Sequence, residues 1–200
     1  MENKGNCVLG IDASLTHTGV AVASLTDGVC VTSRTCVPKT KGAARLCGIE
    51  SWISLLLEEL RNLYGTEIKM AFMEGYAFSP FGRTKKGGIF MAGKPHDLAE
   101  LGGVIKAFLY KSRIPLFIVS PQTLKKWVTG SGKSDKDRNL LDAFKKWGVE
   151  FSDSHQCDAY ALANIGWSIC NIIDKKKDIK SFYDYEQEVL KVVMKQLEEK

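Results

Sequence analysis

The chain has 200 residues, 44% hydrophobic and 26% charged, and its 28 basic and 23 acidic side chains leave a net charge of +5. That length and balance support one domain with a real core and exclude a disordered chain. No run of about 18 apolar residues is present to span a membrane, and the six cysteines are scattered without a C-x-x-C pair, which argues against a zinc ribbon or a disulfide framework. The N-terminal MENKGN lacks the apolar core of a signal peptide, so a cytoplasmic location is expected.

Cys7–Ile11 reads as a short buried strand, with further strands at Thr18–Ser24 and Val29–Val37. Thr26-Asp27-Gly28 between the last two is a hairpin signal, so three antiparallel strands are expected. Leu46, Ile49, Trp52, Ile53, Leu56, Leu57, Leu60 and Leu63 recur at spacings of three and four. They form the stripe of an amphipathic helix that Gly65 ends. Ile68–Met73 is a buried strand leading to Glu74. Ala77–Pro95, AFSPFGRTKKGGIFMAGKP, has no helical period and reads as a long loop. A helix over His96–Lys111, a strand at Leu116–Val119 and a short helix from Pro121 through Trp127 follow.

After the loop TGSGKSD, Ser134 and Asp137 resemble a cap for a helix through Trp147. Ser152–Ser154 caps another that runs to about Ile173. Ile179–Glu199 is expected as one amphipathic helix with Val189, Val192, Val193 and Leu197 on one side. The order predicts an α/β fold with a mixed central sheet, three antiparallel strands and then parallel ones, flanked by helices. Residues 1–173 would form the domain. Residues 174–200 would form a charged tail helix packed on it or on a dimer.

Two strands end in an acid: CVLGID at Asp12 and IKMAFME at Glu74. An unpaired buried carboxylate is costly. If the strands are neighbours, the two acids repel unless a cation lies between them, and oxygen ligands suit Mg²⁺ or Mn²⁺. The alternative is that each acid stands at a solvent-exposed strand end. In SDSHQCDAYALANIGW, His155 and Asp158 are three apart and share one face of a helix start. Asp153 fits an N-cap better, and Ala159, Ala161 and Ala163 permit close helix–sheet packing. His17 reads as an exposed turn residue.

The positive charge is concentrated in two glycine-containing segments. Arg83, Lys85, Lys86 and Lys94 alternate with Phe78, Phe81 and Phe90 in the first. Lys125, Lys126, Lys133, Lys136 and Arg138 flank Gly130 and Gly132 in the second. Such segments suit a phosphate backbone and unpaired bases; a solvated loop is the alternative for each. GSGK is too short for a P-loop, and no strand runs into it.

GIDASLTHTGVAV, AFMEGYAF and SDSHQCDAYALA, in this order and at these separations, resemble the RuvC-type Holliday-junction resolvases, the phage-encoded members especially. The resemblance runs through VSPQTLKKWVTGSGKSDKDR and spans about Val8 to Trp167. It implies an RNase H-like nuclease with four metal-binding positions, which fall on Asp12, Glu74, His155 and Asp158. It implies two Mg²⁺ ions per site, with Mn²⁺ as a substitute, and hydrolysis of branched DNA to a 5′-phosphate and a 3′-hydroxyl. Among the family's basic positions, Lys125 and Lys136 match best, with Lys126 and Lys133 beside them. The family's junction-centre aromatic falls on Phe78 in preference to Tyr76. The loop at Ser79–Lys94 and the tail after Asp174 depart from shorter members.

A four-way junction has two-fold symmetry, which a homodimer matches. Leu98, Leu101, Val104, Ile105 and Leu109 would face either a partner subunit or the sheet. Two other activities compete. GIDASLTHTG also resembles the first phosphate hairpin of sugar kinases and actin-like ATPases, but no glycine-rich second phosphate loop follows late in the chain. A nuclease of the same fold could instead prefer flaps, forks or nicks.

Overall fold

The computed structural model describes residues 5–75, 81–83, 89–91, 95–132 and 136–198. Five strands form the central sheet in the order β3-β2-β1-β4-β7. They are β1 (Asn6–Asp12), β2 (Thr18–Ser24), β3 (Cys30–Cys36), β4 (Glu67–Glu74) and β7 (Leu116–Val119). The first three are antiparallel neighbours, and β4 and β7 join in parallel. This is the mixed sheet expected from the sequence.

The period-two alternation of β1 and β4 divides the core between two faces. Cys7, Leu9 and Ile11, with Ala71 and Met73, pack against α1 (Gly42–Tyr64) and α2 (Pro95–Lys111). On the other face, Val8 and Phe72 meet a second helical layer. That layer holds α3 (Pro121–Thr129), α4 (Lys136–Trp147), α5 (Ser154–Ile173) and α6 (Asp184–Glu198). The helix α1 ends as expected, with Gly65 in the left-handed region at φ 59°. Among the described residues, no helix is long and apolar enough to cross a membrane.

Three expectations are corrected. The segment expected as an unbroken loop carries a small antiparallel hairpin, β5 (Phe81–Arg83) and β6 (Ile89–Met91). Each strand is only three residues long, too short for a periodic signal. The expected tail helix is split. Ile179–Ser181 is a 3-10 turn, and α6 starts only at Asp184. On α6, Val189, Leu190 and Val193 are buried, whereas Val192 is 55% exposed.

The tail is woven into the domain. Gln196 donates to the carbonyl of Ile118 (2.7 Å) and accepts from its N–H (3.0 Å), so it satisfies the outer edge of β7 as a neighbouring strand would. Leu101, Ile105 and Leu109 of α2 are fully buried in the core and face the sheet side rather than a partner subunit.

Candidate metal centre at the sheet edge

The pleat aims the two strand-tip acids the same way. In β1, Val8 faces α5, so Gly10 and Asp12 do too; in β4, Phe72 and therefore Glu74 follow the same face. The parallel register pairs Ile11 with Met73. One step further, Asp12 and Glu74 stand on adjacent strand ends, about 5 Å apart by strand spacing.

The helix α5 brings the other two residues. Asp153 caps it, accepting from the N–H of Gln156 (2.9 Å), and Thr35 of β3 donates to the same carboxylate (2.8 Å). The helix start is therefore tied to the sheet at a set height. Its approach is close. A side chain at Gly10 would put a Cβ 1.9 Å from the carbonyl oxygen of Ala159, and one at Gly19 would put it 2.1 Å from that of His155. Gly19 pairs with Asp12 across the β1–β2 ladder. The glycine that lets α5 in therefore sits beside the acid that His155 meets.

His155 Nδ1 and Asp12 Oδ2 are 2.6 Å apart, across 143 positions of sequence. Asp12 is 6% exposed. Burial, then the Asp12 and Asp158 carboxylates and a hydrogen bond with Asp12, push the Glu74 carboxyl up to about 8, while Lys125 pulls it down. All four expected residues are thus gathered at one sheet edge, with Lys125 close enough to act on Glu74. Among the described residues, no three His, Cys, Asp or Glu side chains stand ready-made around one ion position. What the cluster shows is an excess of negative charge. A carboxyl held up by two neighbouring carboxylates fits a divalent cation with oxygen ligands.

His17 plays a larger part than its sequence position suggested. It is exposed, but its ring stacks on His155 at 5.6 Å between centroids and 7° between planes. The turn that holds it is internally bonded. Ser14 Oγ accepts from the N–H groups of Thr16 and His17, each at 3.3 Å, and Thr18 Oγ1 donates to the Ser14 carbonyl. The signal was present as a Ser-x-x-x-Thr turn directly after the strand-tip acid, but the His155 partner was not legible.

The expected DNA-contact residues separate. Lys125 faces the acidic cluster. Lys126 is paired with Glu188 of α6. Phe78, Lys85, Lys86 and Lys133 lie outside the described residues, as do Tyr76 and the expected cap Ser134. Arg83 and Lys136 are placed by their backbones in β5 and α4.

The fold and the edge cluster define a mixed α/β domain of RNase H-like type with an acidic centre at the strand ends. No family model matches the chain, and no curated protein sequence matches it. Among solved structures, Thermus thermophilus RuvC superposes with a TM-score of 0.60 at 19% identity, over 80% of this chain and 93% of that one. T. thermophilus RuvC in complex with a Holliday junction substrate gives 0.58 at 17% identity, over 80% and 92%. The chain therefore has the RuvC fold.

Proposed function

We propose that the chain is a metal-dependent, structure-selective DNA endonuclease of RuvC type, which resolves four-way junctions as a homodimer. The observation that carries this is the gathering of Asp12, Glu74, His155 and Asp158 at the strand-end edge of a RuvC fold. The T. thermophilus protein of that fold is described in complex with a Holliday junction substrate.

Asp12, Glu74 and Asp158 would hold Mg²⁺ or Mn²⁺, with His155 as a fourth ligand or as the group that positions water. Two such ions, when bound, supply an activated water as nucleophile and positive charge for the departing 3′-oxygen. The chain's own residues do the rest. Asp12 orients the His155 ring through Nδ1. Lys125 places a positive charge beside the acidic edge, where it would draw in a phosphodiester. Arg83 stands in the β5–β6 hairpin, which follows β4 in chain order, and Lys85 and Lys86 are its neighbours in sequence. With Phe78 the hairpin would reach the DNA arms and an unpaired base, and Lys126, Lys133 and Lys136 would follow the backbone alongside. The products would be a 5′-phosphate and a 3′-hydroxyl. Leu55 and Leu63 of α1 and Tyr110 of α2 are exposed and available to a second copy.

A labelled mobile four-way junction tests the proposal. The protein should cut it in Mg²⁺ or Mn²⁺ and stop in EDTA, and Asp12→Asn should bind without cutting. Cleavage by Asp12→Asn at the wild-type rate would refute the assignment. Flap, fork and nicked duplex run alongside establish the preferred substrate. ATP hydrolysis without DNA cleavage would favour the kinase-like activity. Light scattering on DNA that shows only monomer would exclude the paired cut.

A further inference from the structure

A cleft of about 650 Å³ opens along α5 from Tyr160 to Ser168, among α3, α4, the β2–β3 turn and the start of α6. Tyr160 stands two residues beyond Asp158, about 200° round the helix at about 100° per residue, so the two side chains leave α5 on opposite faces. The cleft is therefore separate from the acidic edge, and its size is that of a small-ligand site. Its floor is one face of α5, where Tyr160, Asn164 and Trp167 recur at four and three residues. Its walls are Trp127, Trp147 and Phe182.

Three polar groups here have no hydrogen-bond partner. The Nε1–H groups of Trp127 and Trp167 are buried without one. Asn164 is 9% exposed, lines the cleft and, among the described residues, makes no side-chain hydrogen bond. The Asn164 carboxamide is not closed off from solvent as the two indole N–H groups are, so it is open to a ligand in the cleft. Lys146 is paired with Glu186 at 2.5 Å and donates to the Trp127 carbonyl, and the exposed Asp27 also lines the cleft, near enough to act on Tyr160.

The mouth is basic. Lys177 lies 4.2 Å from the centre of the Trp167 ring. Lys175 and Lys180 stand on the same connecting segment, and among the described residues none of the three has a carboxylate partner. The two acids there are engaged, Asp174 by Lys176 and Asp178 by the N–H of Lys180. Lys175 sits in the left-handed region at φ 56°, which is uncommon outside glycine.

An aromatic cleft with an amide open to it and, at its mouth, lysines that have no carboxylate partner among the described residues matches the chemistry of one nucleotide. A planar base stacks on aromatic rings, its edge hydrogen-bonds a carboxamide, and its phosphate meets ammonium groups. We propose that this cleft is a second ligand site that takes a single unpaired nucleotide. The base lies against Trp167 and Tyr160, Asn164 meets its edge, and Lys177 with Lys175 meets its phosphate. The source is either a free mononucleotide or an unpaired residue of a strand. The inference does not depend on the nuclease reading.

The four tryptophans supply an internal control, because Trp52 lies on α1 across the sheet. Indole N–H resonances of the full chain are followed by NMR during titration with dAMP, deoxyadenosine, inorganic phosphate and a short oligodeoxyadenylate. Saturable shifts of Trp127, Trp147 and Trp167 with dAMP, and none of Trp52, are expected. Inorganic phosphate alone should leave the indoles unmoved. Deoxyadenosine should bind several-fold more weakly than dAMP, and so should dAMP to Lys175→Gln/Lys177→Gln, whose changes are on the surface. Asn164→Leu should weaken binding by roughly tenfold. Tighter binding of the oligonucleotide than of dAMP assigns the site to a strand; equal binding assigns it to the free nucleotide. The proposal is overturned if no indole shifts saturably, if all four shift together, or if the double lysine variant binds dAMP as the wild type does.

Discussion

Glu74→Gln separates two effects of the acidic edge. The Glu74 carboxyl lies at about 8 in the folded chain, against 4.5 for the free group. The folded state thus keeps a proton that the unfolded chain releases as pH rises past 4.5. The stability tied to this proton is fully present below 4.5, falls progressively as pH rises, and is lost by about pH 8. The whole span corresponds to a few kcal/mol, on the order of 3–5. Gln cannot ionise, so the variant lacks that slope. In urea unfolding with EDTA present, Glu74→Gln should match wild type near pH 5 and exceed it by a few kcal/mol at pH 8. Added Mg²⁺ should narrow the gap at pH 8 by stabilising the wild type more. DNA cleavage by the variant should drop by roughly 10³-fold or more. Wild-type and variant stability curves that run parallel from pH 5 to pH 8 would refute the crowding argument.

Three other substitutions probe the surrounding structure. His17→Ala removes the ring stacked on His155 and should slow junction cleavage by up to about tenfold with little change in junction affinity, whereas His17→Phe should restore most of the rate. Gly19→Ala forces a Cβ to 2.1 Å from the His155 carbonyl; the start of α5 must move, so stability should fall by roughly 1–3 kcal/mol in urea unfolding, and cleavage should fall much further than that loss explains. Lys146→Met strands Glu186, whose side chain is 8% exposed, and should cost about 3–5 kcal/mol by thermal or urea unfolding. Adding Glu186→Leu should recover much of that loss; no recovery would count against the pair as the cause.

How much of this was legible in the sequence depended on how local each signal was. The strand Cys7–Ile11, the α1 stripe and its stop at Gly65 follow from periodicity and backbone freedom within one element. Asp12 and Glu74 stood out because an acid at the end of an apolar run is a local anomaly. The hairpin after Glu74 was missed because three-residue strands leave no pattern. The tail helix was drawn too long because Ile179 and Phe182 extend an apolar rhythm that the backbone does not follow. Lys125 and Lys126 are neighbours in sequence, and only the packing of α6 separated them, by supplying Glu188 to one.

By itself the sequence determined the strands of the main sheet, the helices that flank it, their order and the acids at the strand tips, since these depend on residues within a few positions of each other. Tertiary structure decided the partners. His155 meets Asp12 across 143 positions because Gly10 and Gly19 let α5 lie against the sheet. His17 is placed over that ring by the same close approach. The aromatic cleft exists because α3, α4, α5 and α6 bring together three tryptophans that no local pattern connects. Which side chains meet across a sheet is set by register and by how near two backbones come, and neither is encoded in any one stretch of chain.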